Sequence, residues 1–198
     1  MPATVVDRLH EQFTDLVALL DRAGEPSLRA FADDTFRKSL LLCAASHFEN
    51  EITNVLTSFV EEASNSNALV TSFMRNKAIG RQYFALFNWE ETNANQFFSY
   101  FGPKFREYMK ARAKAEPQLD ESIRAFLEIG RERNRLVHQN YGMFTLEKTA
   151  DELYQRYQQA RGFVEAFPLA LRALVENKMP QAREAGSPTP TRAEVGER

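Results

Sequence analysis

The chain has 198 residues, a formal net charge of -2, 43% hydrophobic residues and only eight Gly and eight Pro. That length suits one domain with an appendage, and sixteen Phe supply ample apolar volume for a core. The scarcity of turn formers argues against many short strands, and the charge excludes a global basic field that would attract nucleic acid from a distance.

Any contact with RNA therefore has to rest on a local patch, or on one assembled from two copies. The single cysteine, Cys43, lies in the apolar run Leu40 to Ala45 and reads as a buried small hydrophobe. No stretch approaches the roughly 18 apolar residues that a membrane span needs. Asp7 and Glu11 near the start are unlike a secretory signal. A soluble protein in the cytoplasm, without membrane contact, is the expectation.

Val5, Leu9, Phe13, Leu16, Val17 and Leu20 recur at helical spacing, and Gly24-Glu25-Pro26 ends this first helix. A short segment, 27–33, is expected next. A long helix then runs from about Thr35 to Ala63, with Leu40, Leu41, Ala44, Phe48, Ile52 and Phe59 on its apolar face. Ser64 to Asn67 is a polar break. From Ala68 to Phe101 the pattern divides into shorter helical pieces, closed by Gly102-Pro103.

A further helix carries Phe105, Tyr108 and Met109 and stops at Glu116-Pro117. Asp120 reads as the N-cap of the next one, which holds Ile123, Phe126 and Leu127. Thr149 to Glu152 fits a capping box that opens the last helix, whose apolar residues run through Leu153, Tyr157 and Phe163 to Leu174 and Val175, with Pro168 as an expected kink. The polar stretch 180–198, rich in Pro, Gly, Ser and Thr, reads as a disordered tail behind a helical domain at 1–179. The expected fold class is all-α, a bundle of long antiparallel helices with shorter helices inserted.

Chemistry concentrates in Arg133-Asn134-Arg135-Leu136-Val137-His138. Asn134 and His138 stand four apart, on one face of a helix, and Arg133 lies about 100° round from Asn134. Gln139 to Gly142 looks like a helix end, which puts His138 in the last turn. Arg131, Arg133 and Arg135 bring three cations against one acid, Glu132. Cleaving RNA without a metal needs a base for the ribose 2′-hydroxyl, an acid for the leaving 5′-oxygen and cations on the phosphate. An imidazole titrates near neutrality and can fill either proton role, and a guanidinium offers a planar fork to phosphate oxygens. Asn134 could orient the imidazole or bond a phosphate oxygen. Spacing alone is weak, since this composition yields about 0.27 Arg-x4-His matches by chance.

The string Arg133 to His138 resembles the signature of the HEPN superfamily, an Arg followed by a polar residue and, after four to six positions, a His. The helix Leu41 to Glu49, with its Phe48-Glu49 pair, is similar to that of RiboL-PSP-type HEPN nucleases. Gln139 departs from the Gly or Asn that many relatives carry after the His. The resemblance implies Arg133 and His138 as the catalytic pair of an endoribonuclease, with Asn134 assisting. It also implies a homodimer with a composite active site, RNA as substrate, and a role as a toxin or antiphage effector beside an antitoxin or neighbouring defence protein. A non-catalytic HEPN-type module that binds RNA or protein is the alternative. With two copies close together, Glu128 or Glu132 would offset part of the arginine charge.

Lys104, Arg106, Lys110, Arg112 and Lys114 form a basic stretch interleaved with Phe105 and Tyr108. It reads first as a solvated helix face with inward aromatics, and second, with Arg131 and Arg135, as an RNA path. Arg75, Lys77 and Arg81 form a weaker cluster with the same two readings. Glu49 is a candidate partner for a motif arginine. His47 reads as a core histidine, His10 as surface and Trp89 as a packing residue. No His, Asp or Glu cluster has metal-ligand spacing and no glycine-rich phosphate loop occurs, so neither a metal nor a cofactor is expected.

Overall fold

The computed structural model describes residues 3–80 and 82–175, with side chains to residue 173. The expected tail, the end of the expected domain, Arg81 and the side chains of Leu174 and Val175 lie outside the described residues. Eight α-helices and no strand occur among the described residues.

Helix α1 spans Val5–Ala23 and α2 spans Pro26–Ala63, joined at Gly24, whose φ of 71° is the left-handed conformation a glycine adopts without strain. The expected break at 27–33 is absent. Pro26 sits in the first turn of α2, where its missing N–H is no loss, and no Gly or Pro follows until the helix ends, so one 38-residue helix forms. Asn67 caps α3 (Ala68–Met74) by accepting from the amides of Leu69 and Val70, and a π-helical turn, Arg75–Ile79, continues it. Two short helices follow, α4 (Tyr83–Leu86) and α5 (Asn95–Ser99), then α6 (Pro103–Ala115), α7 (Pro117–His138) and α8 (Ala150–Val175).

Asp120 is not the N-cap of α7. Glu116 holds that position, Pro117 begins the helix, and Asp120 sits in its first turn, paired with Arg124 at 2.8 Å. The capping box at α8 forms as expected: the Thr149 amide donates to Glu152 at 2.8 Å, and the Glu152 amide donates to the Thr149 hydroxyl at 3.2 Å. Helix α8 runs on through Pro168 to Val175.

Helices α2, α7 and α8 surround a core of stacked and edge-on rings. Phe126 of α7 meets Phe48 of α2 at 5.5 Å and Phe163 of α8 at 5.0 Å, and Phe97 of α5 meets Phe167 at 4.9 Å. Burying such rings contributes roughly 2–3 kcal/mol each, which outweighs the poor intrinsic stability of the short inserted helices. Gly162 of α8 lies where an added Cβ would stand 3.3 Å from Cβ of Ser122, so α7 and α8 approach closely.

Two histidines differ from expectation. His47 is half-buried, its ring edge-on to Tyr157 at 5.8 Å. His10 is no free surface residue: its ring stacks on Tyr154 at 4.0 Å and its Nε2 lies 3.0 Å from Asp151, joining α1 to α8. Cys43 is only partly buried, and that burial raises its thiol above the ordinary range.

Candidate functional site

Helix α7 turns its apolar stripe inward through Phe126, Ile129, Gly130 and Leu136, and this rotation fixes where the motif side chains emerge. Leu136 is buried while Val137 is 45% exposed, so the apolar pair before the histidine splits between core and surface. Arg133 and Asn134 are half-buried, and His138 is exposed in the last turn. The helix closes where the Gln139 amide donates to the Arg135 carbonyl at 3.1 Å.

Arg133 is held on two sides. Its guanidinium carbon lies 3.7 Å from the centroid of the Phe84 ring, and its Nη1 donates to Oδ1 of Asn134 at 3.3 Å. Asn134 thus spends its carbonyl on Arg133. His138 makes no hydrogen bond or ion pair among the described residues. Arg135 donates to both carboxylate oxygens of Glu132 at 3.0 Å, and its guanidinium lies 5.7 Å from the Phe144 ring. Arg131 is half-buried, with no ion-pair partner among the described residues. Glu132 therefore offsets one motif cation, whereas Glu128 turns to Lys148 and to Arg156 at 3.2 Å.

Glu49 forms no ion pair with Arg133 among the described residues. The two nevertheless act on one group: burial holds the Tyr83 phenol well above its ordinary range, the Glu49 carboxylate adds to that rise, and Arg133 opposes it. Tyr83 and Phe84 both belong to α4, so this short helix stacks on the motif through Phe84 and feels the charge of Glu49 through Tyr83.

The loop after His138 is tied to α2 by two cations. The buried Nζ of Lys38 donates to Asp34 at 2.9 Å and to the Tyr141 carbonyl at 3.1 Å. Arg37 donates to the carbonyls of Leu146 at 2.6 Å and Lys148 at 3.3 Å while paired with Asp33 at 3.0 Å. Phe144 and Leu146 plug into the core. Sequence reasoning passed over this clamp, although acids four residues before cations on one helix signal paired, organised charges.

The basic stretch lies on α6 with Phe105 and Met109 buried beneath it. Arg106 pairs with Glu107 at 3.0 Å and Arg112 with Glu116 at 2.9 Å, while Lys104 and Lys110 are exposed. At 1.5 Å per residue, His138 stands about 31 Å along α7 from the α6–α7 junction, and Lys110 stands within about 8 Å of that junction. Lys110 and His138 of one chain cannot share a phosphate. Arg75 pairs with Glu61 at 3.5 Å and Lys77 is exposed.

No group of His, Cys, Asp or Glu suited to a metal occurs among the described residues, and no described helix is long and apolar enough to cross a membrane. No curated protein and no solved structure shows significant similarity to the chain. The RiboL-PSP-HEPN family matches residues 7–173, a span that takes in α2, the α4 platform and the whole motif helix. The chain belongs to the RiboL-PSP-HEPN family.

Proposed function

We propose that this protein is a metal-independent endoribonuclease that works as a homodimer, with Arg133 on the scissile phosphate and His138 as acid and base. The observation that carries this reading is the contrast between an exposed His138, bound to nothing among the described residues, and an Arg133 oriented by Phe84 of α4 and Asn134 of α7. The two side chains leave α7 about 140° apart, which disfavours their acting on one phosphate from one chain and supports a cleft lined by two. In such a cleft one imidazole takes the proton of the 2′-hydroxyl as its oxygen attacks phosphorus. The other, protonated, imidazole gives a proton to the leaving 5′-oxygen. The products are a 2′,3′-cyclic phosphate and a 5′-hydroxyl. Arginine stabilises the extra phosphorane charge.

Family membership supports a role as a toxin or antiphage effector, held in check by an antitoxin or a neighbouring defence protein. The test is cleavage of RNA by the purified protein in EDTA, with end-group analysis of the products. Arg133→Ala and His138→Ala should each abolish cutting. Variants that cut as well as the parent would overturn the reading. The second reading, a non-catalytic module binding RNA or protein, is favoured by the packing of Arg133 against Phe84, which also suits a purely recognising cation. Tight RNA binding without cleavage would select it.

A further inference from the structure

We propose that Phe84, locked in place by Trp89 in a notch at Gly130, is the positioning residue that sets the plane of the Arg133 guanidinium. This inference rests on the ribonuclease reading for its consequence and on the structure for its geometry.

A guanidinium has five N–H donors in its plane and none on its faces. Stacked at 3.7 Å, Phe84 covers a face and leaves the donor edges uncovered, whereas an ion pair would occupy an edge and neutralise charge. Asn134 takes one edge donor at 3.3 Å. Among the described residues nothing else bonds the guanidinium, so its remaining edge can meet two phosphate oxygens at once, with its rotation already fixed. Pre-set orientation of this kind matters more for the rate of the chemical step than for affinity.

Phe84 itself needs support, because a four-residue helix has no independent stability. Trp89 provides it twice. Its indole N–H donates to the Phe84 carbonyl at 2.8 Å. Its ring edge fills the space at Gly130, where an added Cβ would stand 2.0 Å from Cζ3. Gly130 and Arg133 are three apart on α7 and share a face. The α4 segment therefore touches the motif helix at two successive turns: Trp89 at Gly130 and Phe84 at Arg133. The first contact fixes the second.

The experiment compares Phe84→Leu, Phe84→Tyr, Arg133→Lys and the Phe84→Leu/Arg133→Lys double variant. Turnover is measured on a short RNA, binding on the 2′-O-methyl version of the same RNA, and the Arg133 Nε–Hε resonance by NMR. Phe84→Leu should lower kcat by about 10- to 100-fold with KM moved less than about threefold, and Phe84→Tyr should return kcat to within about threefold. Arg133→Lys keeps the charge and loses the plane, so adding Phe84→Leu to it should do little more. The Arg133 Hε should shift on Phe84→Leu as the ring current is lost. A Phe84→Leu protein that cuts like the parent, or effects that simply multiply in the double variant, would overturn the positioning role while leaving the ribonuclease reading intact. If the parent cuts no RNA, that reading falls. The double-variant cycle on binding and the Hε resonance then decide the positioning role alone: an unshifted resonance overturns it, and a shifted resonance with non-additive binding upholds it.

Discussion

The two ends of the motif are built differently. At its start, Arg133 is half-buried, stacked on Phe84 and bonded to Asn134. Five residues on, His138 is exposed and makes no hydrogen bond or ion pair among the described residues. The cation is pre-organised by its own chain. On the proposed reading, the imidazole takes its orientation from outside, by substrate or by a second copy, before it works as acid or base. If that reading holds, the fold finishes half of a site and leaves the other half to assembly.

The largest expected effect comes from separating the two ends by mutation. His138→Ala should cut cleavage by roughly 10²- to 10⁴-fold and leave the melting temperature unchanged, because the side chain is exposed and bonds to none of the described residues. Arg133→Ala should match that loss within about tenfold and also lower the melting temperature, through the lost stack on Phe84. Equal thermal stability of the two variants would erase the contrast.

Gly130→Ala should destabilise the fold by about 1–3 kcal/mol, since the new methyl and the Trp89 ring cannot share one space. Chemical denaturation with tyrosine and tryptophan emission reads this directly. Lys38→Met should cost about 1–2 kcal/mol by leaving the Tyr141 carbonyl without its donor. Amide exchange in the loop after His138 should quicken, while α7 stays protected.

A smaller effect concerns pH. Burial acts to raise the Asp7 carboxyl, but donors from the Thr4 amide and from Tyr154, Thr4 and Gln158 outweigh it and hold the group below its ordinary value. A folded value below the unfolded one means stability that is fully present above the unfolded value and lost as pH falls through the folded value. Thermal melts of the parent and Asp7→Asn between about pH 2 and pH 6 should therefore converge as pH falls below about 4 and keep a constant separation above it. Curves parallel throughout would show that Asp7 carries no linked proton. The smallest expected effects lie on α6. Arg106→Ala and Lys110→Ala should alter stability by less than about 0.5 kcal/mol, and each should reduce the salt slope of RNA binding by about one if it meets a phosphate.

Helical class was legible because Phe and Leu recur at helical spacing in segments that lack Gly and Pro, and the Arg133 to His138 string stood out by residue type. Boundaries were less legible. Pro26 looked like the end of a helix, yet a proline in the first turn begins one, and the charged residues Asp33, Asp34, Arg37 and Lys38 hid how far α2 extends. The Phe84 platform carries no local sign, because a stack between residues far apart in the chain depends on how α4 docks. One sign was available: Gly130 sits inside a helix, where glycine costs about 1 kcal/mol against alanine, and such a residue marks a close approach by another element. The approach is Trp89.

Trp89 is the only tryptophan in the chain, and its buried indole is hydrogen-bonded and pressed against the motif helix one turn before Arg133. The protein thereby carries its own optical label at the site. Selective excitation reports a single, shielded ring, and any movement of α7 against α4 changes that ring's surroundings. Emission colour and quenching by added iodide should track RNA binding and subunit exchange without a dye, in the protein as it stands.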